Sequence, residues 1–309
     1  MDLRHLRCFI AVAEELHFAR AAERLHIEQS PLSRAIKELE EDLGVRLFDR
    51  TTRSTRLTRA GQVFLEHVPR VFSALEQASN SVRAVAAGYQ DQLRVALSDG
   101  ITPPRLSALL AQCRQDDPDI EIRLFEIPLS QQIRGLHDDL YDVGFAQSAE
   151  VGDGIVAEAA WSDPLVVVMP ARHPLLVHKR IPLDEVLRYP LVMCDPQSCE
   201  GYGQQIARIL RRADAAPLIA EQVTSLDLML TLVAAGYALA LIGASQVSAC
   251  RNADVIGRPL AGRSPTLTTY LLRRDVVPSE TLSRFIDRVS PIGVDMPLHQ
   301  ADITKEIDS

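Results

Sequence analysis

Residues 17–40 read HFARAAERL, HIE and QSPLSRAIKELE in succession. The first segment is rich in alanine and suits a short helix, the second is a tight break, and the third suits another helix. Two helices joined by so short a connection form a helix-turn-helix pattern. The dominant use of that geometry is to place its second helix in the major groove of DNA.

The second of these helices divides into an apolar side and a polar side. Its apolar residues recur at helical spacing and should face a core: Leu32, Ile36, Leu39 and Leu43. Hydroxyls and cations share the other side, where they can meet phosphates and base edges: Ser30, Ser33, Arg34 and Lys37. Pro31 suits a helix start and makes Ser30 the expected N-cap. An ordinary amphipathic helix with a solvated polar side would show the same pattern.

A threonine-rich alternation, VRLFDRTTRSTRLT, follows in residues 45–58 and predicts a small β-hairpin, or wing. Its arginines stand against a single acid, Asp49: Arg46, Arg50, Arg53, Arg56 and Arg59. Such focused positive charge beside a groove-reading helix is typical of a surface that binds a polyanion. The wing therefore favours DNA binding, with an affinity that falls as salt rises.

Residues 58–88 predict one long helix, with Thr58 as N-cap and Gly88 as the C-terminal stop. Its apolar residues follow a seven-residue repeat: Phe64, Val68, Val71, Leu75, Ala78, Val82 and Val85. An apolar seam of this kind needs a partner, so we expect dimerisation here, although packing on the protein's own body would explain the same pattern. Pro69 should kink the helix, because proline removes a backbone hydrogen bond.

Composition indicates a cytoplasmic protein of two parts. The chain has 309 residues, a net charge of −8 and five scattered cysteines, which are expected to be reduced thiols. No apolar run reaches the roughly 18–20 residues that span a bilayer, and the start MDLRHL is not a secretory signal. An acidic body with a small basic head would present only one end to DNA.

From residue 91 onward, strands and helices alternate, which favours parallel sheets with helices on their faces. Strands are predicted at 93–97, 121–127, 141–145, 165–169, 191–194, 219–224, 238–242 and 270–273. Helices are predicted at 102–115, 130–137, 203–213, 226–235 and 279–289. Small polar groups stand where these strands end: Ser98, Thr102, Ser130, Ser198 with Gly201, and Thr224 with Ser225. Each could be a simple helix cap, but together they predict a shared ligand cleft.

Other functional classes find less support. The chain has no GxGxxG after a strand, no phosphate loop, no GxSxG and no HExxH, so no enzyme and no cofactor are predicted. A redox-sensing regulator using Cys194 and Cys199 remains an alternative, although inert buried thiols are the default for such residues. A small-molecule binding protein without a DNA role is a weaker alternative, because it would not need the N-terminal head.

The N-terminal pattern resembles that of LysR-type transcriptional regulators. The matching residues are Ala21-Ala22, Leu25, Gln29, Leu32-Ser33, Ile36, Leu39-Glu40, Leu43-Gly44, Leu47-Phe48, Arg50, Arg53, Leu57-Thr58 and Ala60-Gly61. The resemblance implies DNA contacts at Gln29, Ser30, Pro31, Ser33, Arg34 and Arg53, to which the charge pattern adds Lys37, Arg50 and Arg56.

The resemblance also implies an α/β protein with three regions. These are a mainly α winged helix-turn-helix domain (1–58), a linker and dimerisation helix (59–88), and an effector domain (91–309) of the two-lobed, periplasmic-binding-protein-like kind. Lobe 1 would cover about 91–161 and 269–300, and lobe 2 about 162–268, with crossings near Trp161 and Thr268.

Positions that match the family's effector cleft are Ser98, Asp99, Gly100, Ile127, Ser130, Phe145, Glu200, Gly201, Tyr202 and Thr224. With Thr102, they predict a site for a small polar metabolite whose charge the sequence leaves open. Asp99 would repel a carboxylate, whereas Asp99 and Glu200 together could hold an ammonium. The partners implied are double-stranded DNA, the effector, RNA polymerase and further copies of the chain, as a homodimer through the linker helix and as a homotetramer.

Overall fold

The computed structural model describes residues 1–50, 55–98, 103–211, 213, 215–250, 254–262 and 265–294, with the side chains of Arg50, Pro103 and 290–294 left aside. The chain forms two compact units, Met1–Val82 and Arg83–Ser309. Among the described helices, none is long and apolar enough to cross a membrane.

The first unit is a three-helix head with a hairpin and most of a long exit helix, whose last residues belong to the second unit. Its elements are α1 (Leu3–Glu15), α2 (Phe18–Arg24), α3 (Gln29–Leu43), β1 (Phe48–Arg50), β2 (Thr55–Leu57) and α4 (Arg59–Ala86). β1 and β2 pair antiparallel, as the threonine-rich pattern predicts for the wing. The apolar faces of α1, α2 and α3 close over one core, in which Phe9, Leu32, Ile36 and Leu39 are fully buried.

Two details of α3 differ from prediction. The helix begins two residues earlier than predicted, so its N-cap is Glu28, which makes no side-chain cap bond, and not Ser30. Pro31 is therefore the third helical residue, where its missing N–H would still lack a partner within the helix. Leu43 is 36% exposed instead of buried, because it lies in the last turn of α3, next to Gly44, which ends the helix with φ +69°.

The exit helix α4 begins and ends as predicted. The Thr58 hydroxyl accepts the Gly61 N–H at 3.0 Å, which makes Thr58 the N-cap, and the helix ends at Ala86, two residues before Gly88, whose φ is +93°. The helix contains Pro69 and continues past it. The kink stays a prediction.

The second unit is a mixed α/β body. Its first elements are β3 (Asp91–Leu97), α5 (Pro103–Asp116), β4 (Ile120–Glu126), α6 (Leu129–His137), β5 (Val143–Ala146), β6 (Ile155–Pro170), a 3-10 turn (Pro174–Val177) and α7 (Leu183–Val186). The chain continues with β7 (Leu191–Cys194), α8 (Glu200–Leu210), β8 (Ile219–Val223), α9 (Leu226–Ala234), β9 (Ala240–Gly243), α10 (Ala244–Ala249), β10 (Val255–Pro259), β11 (Thr266–Arg274) and α11 (Glu280–Val294).

The prediction of parallel sheets is only partly right. β3 pairs in parallel with β4 and β5, and β7 with β8. The long strands β6 and β11, however, pair antiparallel with each other, and β6 also pairs antiparallel with β9 and β10. Alternation of strands and helices favours parallel pairing, because successive parallel strands need a crossover between them. The predicted strands at 165–169 and 270–273 cover only parts of β6 and β11, so the antiparallel pairing of these long strands did not follow from the alternation.

β6 and β11 run side by side where the two sets of strands meet. Their register places Trp161 opposite Thr269 and Ser162 opposite Thr268, with a bulge between Thr269 and Tyr270. On one side of this crossing lies a core around Val95, Phe145 and Phe285, and on the other side lie cores built on β6, β7 and β9. The crossing therefore joins two separately packed groups of strands.

Candidate functional site: a DNA-reading face and a ligand cavity

The polar side of α3 faces away from the core on which the apolar side of the helix packs. Gln29, Ser30, Arg34 and Lys37 are exposed, while Pro31 and Ser33 are half-buried. Lys37 pairs with Glu41 one turn later, at 3.4 Å between Nζ and Oε1. An exposed pair of this kind contributes little stability and is readily exchanged for another anion. The face is therefore available to a partner.

The wing is attached to α3 by a side chain that the charge pattern did not single out. Glu40 accepts the backbone N–H groups of Leu47 and Phe48 at 2.8 and 3.1 Å. Thr58 closes the other side, because its hydroxyl donates to the Arg46 carbonyl at 2.8 Å. These bonds hold the root of the hairpin at a fixed place beside the polar face of α3.

The structure describes three of the five predicted wing arginines in full. Arg46, Arg56 and Arg59 are exposed, and Arg56 stands opposite Asp49 in the hairpin register. Arg53 lies outside the described residues, as does the side chain of Arg50. Of the described arginines, Arg46 lines the same surface depression as Lys37 of α3, which places positive charge beside that helix.

The second unit contains a cavity of about 580 Å³, a volume typical of small-molecule sites. Four of the predicted effector residues line it: Ser98, Ile127, Tyr202 and Thr224. Ser198 and Ser225, which were predicted to belong to the shared cleft as strand-end groups, also line it, as do Cys194 and Cys199. The rest of the described lining was not predicted: Leu97, Glu126, Pro128, Leu226, Asp227, Met229, Ile242 and Gln246. Most of these are apolar, so the pattern of small polar groups at strand ends did not identify them.

The other predicted effector residues have different places. Phe145 belongs to a hydrophobic core, where it stacks on Trp161 at 4.9 Å between ring centroids, and its side chain is not at the cavity wall. Its carbonyl instead accepts the Ser98 N–H at 3.1 Å. Ser130 is exposed on α6, while Glu200 and Gly201 form the start of α8. Asp99, Gly100 and Thr102 lie outside the described residues.

Three helices present their N-terminal ends to the cavity. The residues directly before α6, α8 and α9 are Pro128, Cys199 and Ser225, and all three line it. Ser225 is a true cap, because its hydroxyl accepts the Leu228 N–H at 3.3 Å. The prediction that helix starts converge on a cleft is thus realised for these helices, with the cap interpretation also holding for Ser225.

A disulfide between Cys194 and Cys199 forms part of the cavity wall. This differs from the expectation of reduced thiols throughout the chain. It arises because the turn between β7 and α8 brings the two Cα atoms to 6.1 Å, within the range that a disulfide spans. Cys8, Cys113 and Cys250 are free, and burial raises the pKa of the Cys8 and Cys113 thiols, which makes them unreactive.

The helix that starts at the cavity is also bonded to the crossing of β6 and β11. The Gln205 side chain of α8 donates to the carbonyls of Gln147 and Thr268 at 2.6 and 2.7 Å and accepts the Thr268 N–H at 2.9 Å. One turn nearer the cavity, the buried Tyr202 hydroxyl donates to the Leu241 carbonyl, and burial raises the pKa of Tyr202. Its role is therefore that of a neutral, fixed wall of the cavity.

Metal chemistry has no support in the part of the chain that the structure describes. Those residues include no cluster of three or more His, Cys, Asp or Glu side chains arranged to hold a metal ion.

Comparison with known proteins covers both units. The family described as "Bacterial regulatory helix-turn-helix protein, lysR family" matches residues 3–62, and the "LysR substrate binding domain" matches residues 86–291. Among curated relatives, the regulator AlsR of Bacillus subtilis is 32% identical over 79% of this chain and 81% of its own length. The Hca operon transcriptional activator HcaR of Escherichia coli is 32% identical over 88% of this chain and 91% of its own length.

Comparison with solved structures leads to the same family as these relatives. The LysR family transcriptional regulator CbnR is 27% identical, with a TM-score of 0.75, over 96% of this chain and all of that one. Full-length CbnR in complex with its target DNA gives the same TM-score at 28% identity, over 94% of this chain and all of that one. The fold class expected from the N-terminal pattern is confirmed.

Proposed function

This chain belongs to the LysR family of DNA-binding transcriptional regulators with an effector-binding domain, and from that premise we propose that the polar face of α3 and the wing read its operator. The observation that carries the proposal is the exposed row of Gln29, Ser30, Arg34 and Lys37, opposite an apolar face whose central residues are fully buried. Hydroxyl, amide and guanidinium groups on one helix face are the groups that contact base edges and phosphates in a major groove. Pro31 and Ser33, with Arg50, Arg53 and Arg56 of the wing, complete the proposed contacts.

The test is binding of the full chain to the DNA upstream of its own gene, measured by fluorescence anisotropy at several salt concentrations. Arg34→Ala should weaken binding by about 1–3 kcal/mol, which is roughly 5- to 150-fold. Lys37→Ala should weaken binding to specific and random DNA alike and lower the salt slope by about 1. Arg114→Ala is the matched control, because Arg114 is exposed on α5 of the second unit. Equal affinities for Arg34→Ala, Arg114→Ala and wild type would overturn the proposal.

The ligand part of the function is assigned to the 580 Å³ cavity. We propose that a small metabolite binds there, against Ser98, Ile127, Tyr202 and Thr224. Since α8 contributes to the cavity wall and is bonded through Gln205 to the crossing strand, occupation of the cavity would act on the angle between the two groups of strands. Ligand-dependent protection of these residues from hydrogen exchange would test the assignment, and unchanged exchange with a bound effector would contradict it.

Assembly through α4 is the third part of the proposal. Phe64 and Val68 pack on the head of their own unit, whereas Val71, Leu75, Val82 and Val85 are 45–71% exposed. An exposed apolar seam at heptad spacing is stabilised by a second copy, and a two-fold dimer matches paired operator half-sites. We propose a homodimer through this seam, assembly to a homotetramer, contact with RNA polymerase, and action in the cytoplasm, where the operator lies, without catalysis.

Sensing of oxidants is a second candidate function, favoured by one observation, the Cys194–Cys199 disulfide in the cavity wall. It predicts that peroxide changes operator binding of the wild type but not of Cys199→Ser, with Cys250→Ser behaving like the wild type. Identical peroxide responses of Cys199→Ser and wild type would dismiss it.

A further inference from the structure

The charge of the cavity wall identifies the class of molecule that the cavity takes. Among the described residues that line it, Glu126 and Asp227 are acids and none is Lys, Arg or His. Glu126 ends β4, and Asp227 lies in the first turn of α9, so the two acids come from different elements. Both are exposed. A carboxylate ligand would therefore meet acidic side chains on described parts of the wall without a cationic side chain to offset them.

The backbone dipoles of the helices contribute positive charge, opposite in sign to that of the acidic side chains. The sizes of the two contributions decide the net charge of the cavity. Each of α6, α8 and α9 is at least nine residues long and presents its N-terminal end to the cavity. A helix N-terminus carries roughly half a positive charge, so three of them supply about +1.5.

The carboxylates exceed that sum. α8 begins with Glu200 and α9 has Asp227 in its first turn, so two of the three helix ends already have an acid beside them. The two carboxylates that line the cavity, Glu126 and Asp227, supply about −2, which leaves it about −0.5 after the helix ends are counted. The field in the cavity therefore favours a cation.

The rest of the described wall sets the shape and polarity of the ligand. Side chains of Leu97, Ile127, Leu226, Met229 and Ile242 form an apolar lining, to which the Cys194–Cys199 disulfide adds. Apolar walls with a few acceptor groups bind a molecule that has an apolar body and one polar end. Carboxylate oxygens accept charge-assisted hydrogen bonds from an ammonium group.

We propose, resting on the effector role assigned to this cavity, that its ligand is a small ammonium compound with an apolar alkyl or aryl body, and not a carboxylate. The ammonium lies between Glu126 and Asp227, and the body lies against Ile127, Met229 and Ile242.

The test is a panel of matched probes on phenylethyl, cyclohexylethyl and linear five-carbon skeletons, each carrying an amine, an alcohol or a carboxylate. Binding to the full chain is measured by thermal shift and calorimetry. Amines should bind, alcohols should bind about tenfold or more weakly, and carboxylates should not bind. Amine binding should weaken as ionic strength rises.

Variants separate the proposed site from binding elsewhere. Asp227→Asn and Glu126→Gln should each lower amine affinity about tenfold and leave alcohol affinity unchanged. Asp287→Asn, an exposed acid on α11, is the matched control and should bind amines like the wild type. Circular dichroism confirms that each variant is folded.

The contrary outcomes are distinct from a failure of the proposed function. Carboxylates that bind more tightly than amines, amine binding that Asp227→Asn and Glu126→Gln leave intact, or a panel with no binder at all would each overturn the inference. Operator binding is measured on the same samples. If Arg34→Ala weakens operator binding as expected, the regulatory function stands whichever probe binds. If the wild type does not bind the operator, the regulatory function itself fails.

Discussion

Gly61→Ala should destabilise the DNA-binding unit, because this glycine lies where α4 passes the root of the wing. A Cβ at position 61 would be 2.1 Å from the Leu47 carbonyl oxygen and 2.9 Å from Leu57 Cδ2. Real Cβ contacts stay at about 3.0 Å or more, and the nearest atom belongs to the backbone, which cannot rotate away. The helix start and the wing must therefore separate by roughly 1 Å in a close-packed region.

The magnitude follows from what that separation disturbs. Overpacking of this kind costs about 1–3 kcal/mol. The same Leu47 oxygen accepts the Thr58 N–H at 2.9 Å, and loss of that bond adds about 1 kcal/mol. Alanine favours a helix over glycine by at most about 1 kcal/mol, so the net loss is about 1–3 kcal/mol. Amides that exchange through opening of the unit should then exchange roughly 5- to 150-fold faster.

Hydrogen exchange with mass spectrometry on the full chain measures this effect region by region. Peptides from residues 1–82 should exchange faster in Gly61→Ala, while peptides from the second unit should not change. Gly203→Ala is the matched control, because a Cβ there meets nothing within 4 Å and the residue lies inside α8. Exchange in residues 1–82 that stays within twofold of the wild type would refute the close-contact reasoning.

Three further predictions concern assembly, packing and pH. Leu75→Asp should lower the oligomeric mass measured by sedimentation, because it places a charge in the apolar seam of α4 through which the proposed dimer forms; an unchanged mass would contradict association through this seam. Asp142→Ala should lower the free energy of unfolding by about 2–3 kcal/mol, because it leaves the half-buried Arg94 guanidinium without its two carboxylate bonds at 2.6 and 3.0 Å. Arg188→Ala, which breaks an exposed ion pair, should cost less than about 1 kcal/mol in the same urea titration. Burial raises the pKa of Asp163 above 3.8, so its favourable contribution to stability is present below that pH and is lost as pH rises through the higher folded-state pKa. The stability of Asp163→Asn relative to wild type should therefore rise from pH 4 to 7, and a constant difference in urea unfolding would contradict the pKa shift.

The sequence was most informative where structure is local. The two helices around residues 17–43 and the hairpin at 48–57 depend on short-range spacing and on turn residues, so their positions could be predicted within a few residues. The polar face of α3 followed directly from that spacing. Glu40 was not singled out for the wing, because its two backbone partners, Leu47 and Phe48, become neighbours only after the chain turns at Gly44.

Prediction was weaker in the second unit, where long-range pairing decides the structure. β6 extends over Ile155–Pro170 and contains Pro164 near the point where it meets β9 and β11, so only its apolar end read as a strand. β10 escaped notice because Val255–Pro259 contains a glycine and a proline, both poor strand formers. The family resemblance predicts Phe145 in the cleft, but its ring is buried against Trp161 and does not reach the cavity.

The three hydrogen bonds of Gln205 have a mechanical consequence for the whole body. Because this amide donates to the Thr268 carbonyl and accepts the Thr268 N–H, α8 cannot slide or rotate without either moving that strand with it or leaving partly buried polar groups unpaired. A ligand that shifted the start of α8 by a fraction of an ångström would therefore also displace β11 at Thr268. The Gln205 amide thus couples motion of α8 rigidly to motion of β11, so that little of the displacement is lost between the two elements.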